Sequence, residues 1–219
     1  MKKIIAFMLA ALMLVSCVAC GVANDDVKDT ELTTEATTEA VVEEPAKAAD
    51  EVLNAALDKF YTALEPAFDM TADEIKGAFV GGYFSDDETT ATASVAGKTP
   101  VDVEDAKATF MSVSLITEDA FAKLDDAAVL HHMMNMNTFA CSSMRVANAA
   151  DVESVAASMR DSIGGNTMWM CGFPEKYVVI TVDTCVISAY GNTAIIDAIK
   201  TAVTETYENA VVVCDEVIA

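Results

Sequence analysis

The stretch "HHMMNMN", residues 131–137, holds both histidines of the chain beside three methionines, Met133, Met134 and Met136. Imidazole and thioether are ligand types that suit soft copper. In an extended chain successive side chains point to opposite faces. His132, Met134 and Met136 would then share one face, and His131, Met133 and Asn135 the other. The first set is a partial Cu(I) site, to which "MWMC" (Met168 to Cys171) could add sulfur. The competing expectation is packing. Methionine is a flexible core filler, the chain has 12, and the alternation continues through Thr138, Ala140 and Met144 as a strand's inner face would. Packing is favoured, and His132, Met134 and Met136 remain the alternative metal set.

Other chemistry has less to work with. The chain contains no G-x-S-x-G, HExxH, P-loop or dinucleotide fingerprint, and a Ser-His-Asp triad would have to use His131 or His132. Acidic neighbours such as Asp125-Asp126 and Asp86-Asp87-Glu88 are expected as solvated surface in so acidic a chain. A carboxylate-based hydrolase of envelope polymers is therefore the least supported reading, and no catalytic residue is assigned. Trp169, Phe173 and Pro174 in "WMCGFP" form an aromatic patch, expected as a core plug rather than a binding lip. Of Cys141, Cys171, Cys185 and Cys214, three sit in apolar runs where cysteine behaves as a small buried hydrophobe. Free thiols are favoured over a disulfide, although neighbouring strands could bring Cys141 near Cys185 or Cys214.

The N-terminal residues carry the sharpest signal. Lys2 and Lys3 precede an uncharged apolar run, Ile4 to Val15, shorter than the roughly 20 residues that span a bilayer core. This is the pattern of a signal peptide. Leu14-Val15-Ser16-Cys17 resembles the lipobox of bacterial lipoproteins, in which a thiol after a small residue accepts diacylglycerol. Val18-Ala19-Cys20-Gly21 is the alternative, so Cys17 is favoured over Cys20. Residues 1–20 are thus expected to be a lipoprotein signal peptide, and the only cofactor expected is that covalent lipid, with its palmitate-type acyl chains. Residues 21–47, with the tandem "TTEATTEA", lack a sustained apolar face and are expected to be a disordered, self-repelling tether.

Setting Lys2 and Lys3 aside leaves 11 basic against 35 acidic residues, a formal balance of −24. That field argues against nucleic acid and anionic headgroups as partners. Residues 48–219 are of a length suited to one domain. "AADEVLNAALDKFYTAL" carries helical spacing up to Pro66, and Thr71-Ala72-Asp73-Glu74 resembles a capping box opening a short helix toward Phe79 that Gly81-Gly82 would stop. Residues 85–100 are expected as a loop with one weak strand at most, and "VEDAKATFMSVSLI" is ambiguous. "TEDAFAKLDDAAVL" reads as a helix with Ala120, Phe121, Leu124 and Ala128 on one side.

The clearest core is 133–219. A strand over Met133 to Val146, a helix in "DVESVAASMRDSI", a hairpin of "KYVVITVD" and "CVISAYG", a helix from Asn192 and a final strand "AVVVCDEVI" follow one another. The expectation is an α+β fold: a ferredoxin-like, split β-α-β-β-α-β sheet in the C-terminal half. Its two helices should cover one sheet face and the N-terminal helices the other.

"MMNMNTFACSSMRVANAADVESVAASMRDSI" and "YVVITVDTCVISAYGNTAIIDAIKTAV", with the lipobox and acidic tether, resemble an uncharacterised Firmicute lipoprotein family (domain of unknown function 4358). The likeness covers about 90 to 120 residues, rests on pattern, and brings no catalytic residues with it. Together these readings point to a lipid-anchored, extracytoplasmic, non-enzymatic binding or envelope-associated module. Its partners would be the membrane, through its lipid, and an unidentified envelope protein or small ligand. A soft-metal (copper) lipoprotein is the alternative.

Overall fold

The first helix, α1 (Ala49–Phe68), turns Val52, Leu53, Ala56, Phe60 and Leu64 inward at three- and four-residue steps. Ala48 has no side chain with which to cap it. Instead the carboxylate of Asp126, distant in sequence, accepts the Ala49 N–H at 2.8 Å, which places an anion at the positive end of the helix. Pro66 lies inside the last turn instead of after it. In this computed structural model the described residues are 46–83, 91–132, 138–169 and 172–218, and they belong to one compact unit, residues 44–219.

Thr71 and Glu74 do form a capping box at α2 (Ala72–Lys76). That helix ends before Phe79, which starts β1 (Phe79–Gly81). Two short strands follow, β2 (Thr92–Ala93) and β3 (Gly97–Thr99), and the ambiguous segment folds as α3 (Glu104–Ser114). The expected helix over "TEDAFAKLDDAAVL" is corrected: a single helical turn, α4 (Glu118–Phe121), gives way to the nine-residue strand β4 (Leu124–His132). The apparent helical spacing of Leu124 and Ala128 is incidental. Ala127 and Val129 enter one apolar cluster, and Ala128 and Leu130 the other. A strand buried on both faces reads as a continuous apolar run.

The remaining elements are β5 (Ala140–Val146), a 3-10 turn (Ala149–Asp151), α5 (Val152–Gly164), β6 (Lys176–Val182), β7 (Cys185–Gly191), α6 (Thr193–Thr206) and β8 (Val211–Val217). Asn192 caps α6 by accepting the Ala194 N–H at 2.9 Å, as its position suggested. The residues at the start of the expected strand, 133–137, lie outside the described residues, and β5 begins at Ala140.

All strands join one antiparallel sheet in the order β2-β1-β4-β5-β7-β6-β8, with β3 also paired to β4. The fold is therefore mixed α+β. The β-α-β-β-α-β succession is present from β5 to β8, but the ferredoxin-like strand order is not. That arrangement returns the fourth strand beside the first. Here β4 already pairs with β5, and β8 pairs with β6 at the far edge. The two crossovers, β5 to β6 and β7 to β8, then step across the sheet in the same direction from antiparallel starting strands. The right-handed rule for such connections requires their helices to fall on opposite faces, and they do. α5 packs with α3 and α4 over Val179, Val186 and Met144, while α6 packs with α1 over Val178, Ile180 and Ile187. The expectation that α5 and α6 share a face is corrected by the same geometry.

A charged network ties β8 to its neighbours. Lys176 Nζ lies 2.6 Å from Asp197 and 2.8 Å from Asp215, and Lys200 Nζ lies 2.6 Å from Asp215. A register shift in the β6–β8 pairing accompanies it, and bulges and engaged charges are devices that discourage edge-to-edge association.

Candidate functional site

β4 brings His131 and His132 to the end of a central strand, where alternation sends them to opposite faces. The face that would have to be open for a His132, Met134 and Met136 metal set is instead packed at His132. Its ring sits 4.5 Å from Phe79 and 5.3 Å from Phe139, centroid to centroid, and Phe60 and Tyr61 extend the aromatic group. His132 is 8% exposed. Met134 and Met136 lie outside the described residues. Among the described residues no three His, Cys, Asp or Glu side chains are grouped so as to hold a metal ion.

His131, half-buried, faces the α3 side. Its Nδ1 is 3.2 Å from the His132 carbonyl oxygen. Burial lowers its pKa below the usual imidazole value, and the backbone contact only partly offsets that. His131 therefore stands as neutral imidazole at neutral pH. Beside it is a cavity of about 110 Å³ between the sheet and α3, lined by Tyr83, Thr99, Phe110, Val113, Val129 and their neighbours. Among the described residues no lining side chain is formally charged at neutral pH. Thr99 comes from β3, Phe110 and Val113 from α3, and Tyr83 from the chain just past β1.

Glycines build this corner, and the reading of Gly81-Gly82 as a helix stop is corrected. Gly81 ends β1, and Gly82 takes φ of 90°, in the left-handed region that side chains avoid. A Cβ on Gly97 would meet Gly82 N at 2.5 Å and Gly82 Cα at 2.6 Å, backbone atoms that cannot rotate away. Only a glycine pair lets β1 and β3 converge here on the same edge of β4. The signal was present in "AFVGGYF": glycine after a β-branched, aromatic run marks close backbone approach as readily as a helix end.

The remaining sequence candidates have structural surroundings. Cys141, Cys185 and Cys214 are free and buried. Cys141 pairs with Ala189 and Cys185 with Arg145, so the two lie four residues apart along one face, roughly 13 Å. Cys214 faces the other apolar cluster. No two of these three can meet the short Cα separation that a disulfide requires. Desolvation by burial raises each thiol pKa, that of Cys185 to about 12 and of Cys214 to about 11. Cys171 is outside the described residues, as are Cys17, Cys20 and the Asp86-Asp87-Glu88 run.

Asp125 pairs with Arg145 at 2.6 Å, while Asp126 holds the start of α1. The "WMCGFP" patch divides. Trp169 packs on Tyr190 at 5.0 Å and Pro174 is buried, as a plug would be. Phe173 is 79% exposed and so forms no part of that plug.

Compared with family models, curated proteins and solved structures, the chain matches none.

Proposed function

We infer that this chain is a lipid-anchored extracytoplasmic lipoprotein whose folded part is a non-enzymatic binding or envelope-associated module. The observation that carries the reading is the order of parts along the sequence. Lys2-Lys3 and the apolar run Ile4 to Val15 lead into Leu14-Val15-Ser16-Cys17, an acidic Thr/Glu/Ala stretch follows, and the compact unit begins at Glu44. A diacylglycerol thioether on Cys17 supplies two acyl chains, which anchor stably where one chain does so only marginally. The acidic stretch, repelled by itself and by anionic headgroups, would hold the domain away from the bilayer. No helix among the described residues is long and apolar enough to cross a membrane.

Detergent phase partitioning of the expressed chain tests it. Wild type should carry metabolically incorporated palmitate into the detergent phase, Cys17→Ser should carry none, and Cys20→Ser should label as wild type. A wild type without label, or a double variant that still carries it, would exclude the lipid anchor at these cysteines.

A further inference from the structure

We propose that the cavity beside His131 is a binding site for a small, uncharged, largely apolar molecule carrying one hydrogen-bonding atom, of the size and chemistry of a short branched alcohol. The proposal deepens the binding-module reading and rests on it.

The size of the space is the first argument. The pocket is partly open to solvent, and about 110 Å³ is several waters' worth of room. An apolar cavity of about 150 Å³ admits benzene. This one therefore takes a molecule somewhat smaller, of about four or five non-hydrogen atoms.

The lining sets the chemistry. Phe110, Val113 and Val129 present hydrocarbon, while Thr99 on β3 and His131 on β4 bring hydroxyl and imidazole to the same space. A charged ligand would lose its hydration with no opposite charge among the described lining residues to replace it. A neutral one needs only a single hydrogen bond satisfied. The chain has 35 acidic residues in 219, and none of the described residues lining this space is among them.

The architecture makes the space persistent. Its walls are the paired strands β3 and β4 and the helix α3, and its corner is the close backbone approach of Gly97 to Gly82. A rigid, preformed and mostly apolar pocket with a few placed polar groups is the usual form of a small-molecule site. Its small volume limits affinity, because so few atoms make contact.

The experiment is a methyl-detected NMR titration of residues 21–219, which retain the whole compact unit. The probes are isobutanol and, at equal concentration, isobutyrate. Saturable shifts of the Val113 and Val129 methyls are expected with isobutanol, at a Kd of about 0.1–10 mM. Isobutyrate should bind at least tenfold more weakly. Ala106→Leu, which adds three carbons from the α3 wall, should abolish the isobutanol shifts while the amide spectrum stays folded. Linear, non-saturating shifts, or isobutyrate binding as well as isobutanol, would overturn the proposal from wild type alone, whether or not the variant folds. Detergent partitioning does not involve the cavity, so failure of the titration leaves the anchor reading standing, and failure of the anchor leaves the titration valid.

Discussion

Replacing Gly81 by alanine probes the corner on which β1, β3 and β4 converge. A Cβ there would lie well inside 3.0 Å of both Val95 O and Gly97 N and 2.6 Å from Val129 O. All three are backbone atoms, so no side chain can swing aside. Relief requires β1 to move off β4. That would loosen the pairs Phe79↔His132, Val80↔His131 and Gly81↔Leu130 and the Gly82 N–H bond to Val129 O at 3.2 Å.

Overpacking costs roughly 1–3 kcal/mol where side chains can adjust, and occasionally more. Three backbone clashes put this variant at about 3 kcal/mol or above. Gly77→Ala is the internal control. Gly77 has helical dihedrals, φ −63° and ψ −15°, and a Cβ there would meet only Glu74 O, at an ordinary 3.5 Å. With no strain to add, it should stabilise by about 0.4–1 kcal/mol through loss of unfolded-state freedom.

Equilibrium urea unfolding of residues 21–219 followed by far-UV circular dichroism measures both. At an m-value of about 2 kcal/mol/M, Gly81→Ala should lower the midpoint by about 1.5 M, while Gly77→Ala should raise it slightly. A Gly81→Ala midpoint within about 0.25 M of wild type would refute the claim that these strands need glycine there.

Four further outcomes follow from the same structure. Lys176→Met leaves Asp197 and Asp215 to share Lys200 alone, and should cost about 1 kcal/mol at neutral pH, nearer the surface than the buried ion-pair value. Burial raises the pKa of Asp215, but hydrogen bonds from Lys176 and Lys200 outweigh it and leave the net value lowered. The stability this contributes is present above about pH 4 and disappears as pH falls through the folded value. Asp215→Asn should therefore flatten the acid limb of a stability–pH curve, and an unchanged limb would contradict the network.

His131 has a folded pKa below the usual value of about 6.5, so the unfolded chain takes its proton first as pH falls. Stability should decline from about pH 6.5 downward, and less so in His131→Leu. An imidazole titration by NMR with a midpoint at or above 6.5 would reverse the sign. In a Cys171→Ser form of residues 21–219, Cys141, Cys185 and Cys214 should be inert to a thiol reagent until urea unfolds the chain. Rapid labelling of the native protein would show that these strands open.

Local chemistry was enough to place α1, α5, α6 and the β6–β7 hairpin, because each carries a full period of apolar residues and, at α6, a cap. The capping box at Thr71 and Glu74 was equally readable. It failed at β4, where "DDAAVL" offers alanine on both faces and an accidental helical period. The cavity escaped notice because its residues come from four separate segments, none of which resembles a motif alone. Phe173 was misjudged because nothing in "WMCGFP" says which aromatic finds a partner. Trp169 finds Tyr190, while Phe173 remains largely exposed.

What the amino-acid order determined alone is therefore local: amphipathic periods, caps, turn residues, an acidic stretch without an apolar face, and a cysteine set behind a small residue and an apolar run. The tertiary structure decided which strand stands beside β5. With β4 in that place, β8 moved to the opposite edge and α6 to the opposite face from α5. It also decided which side of β4 each histidine serves, since alternation assigns faces only once a strand's ends are known. Long-range pairing is a competition among many compatible partners. Only the packed whole, with two glycines touching backbone to backbone, selects one.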